Sequence, residues 1–341
     1  MIEKFAFTCN AVFPIILVIL TGYLLKILKV FPDGFFRQLN KLSFRCCLPV
    51  LLFCNVYNVD SLSDMAGYWK ICVFCFAAIM TAFIIPAVVF NFTVKDSRQK
   101  GVMVQAAYRS NNAIIGLSLV TTLTSGEKNA VAVASILSSL FIPLFNILAV
   151  ISLSMYTNVS DGKFDFKEMI KKIVTNPLII GCAFGFVFLI VRWFLPAVEL
   201  PSGEKIPVFT IKNNLPFLYN TLQMIGNCAT PVALIALGGN FTFGAVSRLK
   251  KLIVTGTLLR VVFVPGIVLC CAYFLGFREV EFPALIALFA TPVAVSSVPM
   301  ASEMGNDDTL AGQLVVWTSI LSSVTLFAVI FLCAQIGIFS V

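Results

Sequence analysis

The chain contains no histidine. That removes the commonest metal ligand and the side chain whose ordinary titration lies nearest neutral pH. Charge is scarce as well: Asp, Glu, Lys and Arg make up 12% of the 341 residues, where soluble globular domains carry about a quarter. No long soluble domain is present, and the largest interruptions of the apolar pattern lie around 157–172 and 196–212. An intramembrane enzyme would need a Ser–His pair, a paired Asp or a His-rich metal site at depth. None is present, so no enzyme activity, cofactor or metal is expected.

What is abundant is apolar surface. Hydrophobic residues make up 59% of the chain and the mean hydropathy is +0.98. A bilayer-spanning helix needs about 20 such residues, and runs of that length recur from end to end. The polar breaks predict ten helices, at about 9–29, 38–57, 68–92, 101–124, 129–156, 173–195, 211–241, 250–275, 280–303 and 310–338. The first run leads straight into the second with no small-residue cleavage site, so it is read as a retained span. The fold class is therefore an all-α polytopic membrane protein.

Basic residues orient it. Fifteen Lys and Arg fall on the face that carries loops 1–2, 3–4, 5–6, 7–8 and 9–10, and seven on the other. Cytoplasmic loops carry the excess, so a cell-membrane protein with both termini extracellular is expected. The net charge of +8 is mostly this bias and calls for no nucleic-acid partner; the bilayer itself is the surrounding partner. The eleven cysteines fall almost entirely in apolar runs and read as small buried hydrophobes. Cys72 and Cys75 have CxxC spacing but no second pair or histidine nearby.

The chain also repeats itself. SILSS occurs at Ser135–Ser139 and again at Ser319–Ser323, 184 positions on. LPVLLF at Leu48–Phe53 matches TPVALI at Thr230–Ile235, with the prolines 182 apart. Pro14 is followed by Gly22, and Pro177 by Gly185, both at eight residues. Three matches in one order predict two homologous halves of five helices, 1–160 and 161–341. Five is odd, so the second half must be inverted, a transporter signature with its binding site near the midplane.

That offset gives meaning to AYRSNNAIIGLS at 107–118, where Arg109, Asn111 and Asn112 interrupt an apolar run. Adding 184 to the asparagines reaches Val295 and Ser296, inside ATPVAVSSVPMAS, where Pro292 and Pro299 disturb the second copy. Helices 4 and 9 are therefore expected to break at mid-membrane and cross at their breaks. Irregular backbone at that depth is tolerated only inside protein or beside a water-filled cavity. The second half-helices would aim their N-terminal N–H groups at the crossing.

Arg109, Asn111, Asn112, Pro292, Ser296 and Ser297 are the candidate substrate-binding residues. An intramembrane arginine needs a counter-charge, and neither broken helix holds a carboxylate at this depth, so the missing charge could be the cargo. The other reading is that Arg109 caps carbonyls of the first half-helices and the asparagines tie helices together. Arg260 is the second mid-span cation, read as neutralising half-helix C-terminal ends. Asn146, Asn227 and Asn240 read as interior interhelical glue.

IGNCATPVALIALGGNF, FATPVAVSSVPMASEMGNDDTLAG and NPLIIG resemble the auxin efflux carrier family, which includes plant auxin exporters and bacterial permeases. The resemblance runs over essentially the whole chain, minus the long cytoplasmic loop of many plant members. It implies ten helices as inverted repeats, a fold similar to bile-acid/sodium symporters, a scaffold of helices 1, 2, 6 and 7, and a transport domain of helices 3–5 and 8–10. A homodimer through the scaffold helices is a further expectation. In helix 4, Asn111 and Gly116 match the family's asparagine and glycine, while Ser110 and Ser118 stand where plant members carry proline. Pro292 and the following VAVSS match the helix 9 pattern of bacterial members. The implied activity is elevator-type, electrogenic export of a small organic acid. The alternative is a sodium- or proton-coupled organic-anion symporter; with no His and no mid-membrane Asp or Glu, a built-in proton relay is disfavoured.

Overall fold

The computed structural model describes residues 2–58, 67–157, 159–160, 163–164, 166–199 and 205–338, with side-chain surroundings from residue 13 onward except at 159–166, 169, 193 and 197–207. It is helical apart from two short antiparallel ladders in the connecting segments, Val159–Ser160 with Lys163–Phe164 and Ala197–Glu199 with Lys205–Pro207. Of the 157–172 interruption, residues 158, 161, 162 and 165 lie outside the described residues. Its end forms a short amphipathic helix, Phe166–Val174.

In chain order the helices are α1 (Ile2–Ile27), α2 (Phe35–Tyr57), α3 (Trp69–Thr93), α4 (Ser97–Tyr108), α5 (Asn112–Leu123), α6 (Lys128–Ser154), α7 (Phe166–Val174), α8 (Pro177–Phe194), α9 (Ile211–Asn214), α10 (Pro216–Asn240), α11 (Gly244–Phe274), α12 (Phe282–Phe289), α13 (Ser297–Glu303) and α14 (Asp308–Gln335). Among the described residues six of these are long and apolar enough to cross a membrane: α2, α3, α6, α10, α11 and α14. Shorter apolar helices lie at Phe13–Ile27, Asn112–Leu123 and Pro177–Arg192. This is a multi-pass helical membrane protein.

The spans at 101–124 and 280–303, both expected to break, are each two helices. α4 stops at Tyr108 and α5 starts at Asn112; α12 stops at Phe289 and α13 starts at Ser297. The second break contains Pro292, which can neither donate to the ladder nor avoid the preceding turn. The first has no proline. There Ser110, Asn111 and Asn112 offer side-chain groups that compete with helical hydrogen bonds, and Arg109 adopts an extended backbone, φ −84°, ψ 102°.

Two long helices stay continuous but widen locally. α2 carries a π-helical turn at Ser43–Cys47 and α11 one at Leu259–Phe263. Each is followed within two residues by a proline, Pro49 and Pro265. A proline ring clashes with the carbonyl four residues before it, and the wider turn moves that carbonyl aside.

Packing relies on glycine at close helix crossings. A Cβ on Gly22 of α1 would strike the Ile235 carbonyl of α10, and one on Gly238 of α10 would strike the Ile19 carbonyl of α1. Gly181 and Gly185 of α8 meet Pro49 and Val56 of α2 in the same way. Without a hydrophobic drive between helices in lipid, such close backbone approach is what holds a membrane bundle together.

The cysteines divide. Cys47, Cys54, Cys75, Cys182 and Cys333 are buried, whereas Cys46, Cys228, Cys270 and Cys271 lie on the protein's outer surface. The second group lies on the surfaces of α2, α10 and α11 and so does not fit the expectation of buried hydrophobes.

Candidate functional site

The two breaks meet. Ser110 and Val293 form an antiparallel bridge. The Asn111 N–H donates to the Pro292 carbonyl at 2.8 Å, and the Ala294 N–H donates to the Arg109 carbonyl at 3.3 Å. Backbone groups freed by each break are thus satisfied by the other, as a lipid-embedded chain requires. The Thr318 hydroxyl of α14 accepts from the Val293 N–H at 3.1 Å and fixes the second strand of the crossing.

Arg260 braces the crossing from one side. Its guanidinium donates to the Thr291 carbonyl at 2.9 and 3.0 Å, to Phe289 at 3.0 Å, and to Ala107 and Tyr108 at 3.3 Å each. Those carbonyls end α12 and α4, the unsatisfied and electronegative termini of two half-helices. The side chain is completely buried. All five guanidinium donors find oxygen, so its charge is already matched by helix dipoles.

Arg109 does something different. Its guanidinium bonds no backbone carbonyl among the described residues. Its guanidinium donates to Asn146 Oδ1 at 2.7 Å, to Ser296 Oγ at 2.8 Å and to Met300 Sδ at 2.7 Å. Asn146 is held in turn by its amide donating to the Ile142 carbonyl at 2.8 Å. All of these partners are neutral, and Arg109 is only 2% exposed.

A cavity of about 50 Å³ lies against this group. It is lined by Arg109, Ser110, Asn111, Asn146 and Ser296 from the crossing side, and by Asn55 and Thr230 among residues of α2 and α10. Arg109 is its one charged lining residue. The Asn111 Nδ2 and Ser110 Oγ are buried without hydrogen-bond partners. A buried polar group left unpaired costs about 1–3 kcal/mol, and both residues line the cavity.

The two asparagines separate. Asn111 faces this cavity. The Asn112 amide instead donates to Ser138 Oγ at 2.9 Å, inside the first SILSS stretch, and its side chain lies over Gly116. Asn112 lines a second cavity of about 260 Å³ that shares Asn55, Ala113 and Ile142 with the first. Ser296 reaches Arg109, whereas Ser297 is buried behind it, its hydroxyl unpartnered. Pro292 contributes its carbonyl to the crossing rather than a wall to the cavity.

Two residues expected inside are not. Asn227 is exposed on α10, because its neighbour Gly226 is the residue turned onto Leu51 of α2. Asn240 is also exposed; its amide folds back on the Ala236 carbonyl of its own helix at 2.9 Å. Neither joins helices at the site.

The reading of the sequence missed the wall that faces the crossing. Leu48 and Leu51 of α2 and Thr230 and Ala233 of α10 all line the cavity. The 182-residue offset pairs Leu48 with Thr230 and Leu51 with Ala233, so the repeat itself carried the signal.

On the opposite side from the second cavity, two contacts link α2 and the end of α10 to α13 and α14. Arg45 of α2 pairs with Glu303 of α13, Nε to Oε2 at 3.1 Å. The Gln313 amide of α14 donates to the Thr242 carbonyl after α10 at 3.0 Å.

A family model described as membrane transport protein matches residues 7–159 and 164–330. An uncharacterized transporter of Methanothermobacter thermautotrophicus is 23% identical over 323 residues, covering 93% of this chain and 95% of that protein.

Proposed function

We propose a cargo for a chain that belongs to the membrane transport protein family: a small organic carboxylate, moved as an anion by a secondary carrier. The carrying observation is Arg109. It is a buried guanidinium with neutral partners, at a cavity with no acidic residue. A carboxylate entering there gains a bidentate cation together with the unpaired Asn111 amide and Ser110 hydroxyl.

The proposed architecture is ten spans in two inverted repeats, 1–160 and 161–341. Equivalent glycines support it: Gly22 meets α10 and Gly185 meets α2, the reciprocal pairing that inverted halves require. Helices 1, 2, 6 and 7 (α1, α2, α8 and α10) form the scaffold, which pairs into a homodimer, and the remaining spans form the moving transport domain. A cavity of about 50 Å³ holds one or two waters, so binding needs the two units to part. The second cavity adjoins the first, while Arg45–Glu303 and Gln313–Thr242 close the far side. With the basic face in the cytoplasm of the cell and both termini outside, this is a state sealed towards the cytoplasm. An elevator-type displacement would break those contacts.

Export then follows from voltage. Moving one negative charge outward gains about 2.3 kcal/mol per 100 mV. A second reading, symport with a monovalent cation, draws on the unpartnered oxygens of Ser110, Ser297 and Ser319. One experiment separates them. In liposomes, a potassium-diffusion potential should drive a labelled organic acid towards the positive side without any sodium or pH gradient. Transport that ignores voltage and stops when sodium or the pH gradient is removed would replace uniport with symport.

A further inference from the structure

α1 ends in an unusual way. The Lys29 N–H donates to the Lys26 carbonyl and the Val30 N–H to the Leu25 carbonyl, a helix terminus whose left-handed position normally takes glycine. Here that position is Lys29, with φ +51°. A lysine in this conformation is strained, and strain of this kind persists where the side chain is needed.

Lys29 and Lys26 face the same groove, of about 690 Å³, floored by Gly34, Phe36 and Gly239. The Lys26 ammonium donates once, to the Phe241 carbonyl at 2.8 Å, which fixes its position and leaves two donors. Lys29 makes no side-chain bond among the described residues. Asp33 lies in the groove, yet it forms no salt bridge with either lysine. Around them the surface is apolar: Leu24, Ile27, Leu28 and Val30 are 54%, 56%, 69% and 54% exposed. Basic groups over an exposed apolar belt mark the level where headgroups meet acyl chains.

We propose that this groove binds the phosphodiester headgroup of an anionic phospholipid. Two lysines and one aspartate give it a net charge of +1, which matches a singly charged phosphodiester better than a phosphomonoester. The apolar residues beside the lysines receive the acyl chains. On the orientation proposed above the lipid belongs to the cytoplasmic leaflet. Because the groove abuts the end of α10, a bound lipid would brace the α1–α10 crossing. The assignment does not depend on the nature of the cargo.

The test is thermal unfolding of the purified full chain in lipid-free detergent, with and without added dioleoyl-phosphatidylglycerol. Dioleoyl-phosphatidylcholine and inorganic phosphate serve as separate arms. Phosphatidylglycerol should raise Tm by about 4 °C or more, and the other two should not. Lys29→Gly relieves the backbone strain while removing the charge. Its Tm without lipid should equal or exceed that of the wild type, and its lipid-induced shift should fall by at least half. Lys29→Gln, which keeps a side chain at the position, should lose the shift as well. An equal shift in wild type and both variants would overturn the site. A shift with phosphatidylcholine as large as with phosphatidylglycerol would overturn the charge recognition, and one with phosphate alone would overturn the lipid.

Discussion

The Arg109 guanidinium and the Asn146 amide oxygen lie 2.7 Å apart in the buried centre of the protein, although 37 residues separate them in the chain. The bond holds a full positive charge against a neutral acceptor, beside a cavity without acidic residues. The nearby Arg260 spends its donors on helix carbonyls instead. The two buried arginines thus differ in their partners, neutral side chains for Arg109 and the carbonyls of two half-helix ends for Arg260.

Asn111→Ala should weaken substrate affinity by about five- to 150-fold, the consequence of losing a buried hydrogen bond of about 1–3 kcal/mol, while folding is retained. Asn112→Ala should leave affinity within a few-fold and lower stability instead, because its partner is Ser138. Binding by isothermal calorimetry beside thermal unfolding distinguishes the two. If Asn112→Ala removes binding and Asn111→Ala does not, the cavity assignment is wrong.

Arg260→Lys should fail to restore the fold. One ammonium cannot reach four carbonyls on two helix ends, and exposing buried charge or carbonyls costs about 3–5 kcal/mol. The expected result is loss of monodisperse protein in size-exclusion chromatography. A well-folded Arg260→Lys with unchanged Tm would show that the crossing does not rely on guanidinium geometry.

Glu303→Gln should loosen the closed side. The Arg45 side chain is 63% exposed, so the pair is worth at most about 1 kcal/mol, or roughly five-fold in the open population. In a background without native cysteines, Ser302→Cys should react with a thiol reagent up to about five times faster when Glu303 is Gln. An unchanged rate would mean that the ion pair does not hold the two units together.

The proposed orientation puts Lys167 of α7 in the cytoplasm. Lys167→Cys, in the same thiol-free background, should resist an impermeant maleimide in intact cells and react once the cells are permeabilised. Labelling from outside would reverse the topology.

Much of this was written in composition and repetition. Scarce charge and long apolar runs dictate a membrane bundle, because an unbroken run of about 20 apolar residues fits a spanning helix, whose backbone is satisfied internally, and not a barrel strand. The 184-residue offset pointed to both breaks without coordinates, and the Arg–Ser–Asn–Asn cluster lies at the crossing of the two, since polar groups persist at depth only where something requires them. What spacing could not decide was direction. Asn111 and Asn112 are adjacent, and only the crossing geometry turns one to the cavity and the other to Ser138. Arg109 and Arg260 are alike as isolated cations, and only the packing of α4, α11 and α12 gives one of them the carbonyls at two half-helix ends. Asn227 was misjudged for the same reason. Composition says that a polar residue lies within a span, but which face of the helix meets its neighbours is settled by Gly226 against Leu51, a contact between residues 175 positions apart.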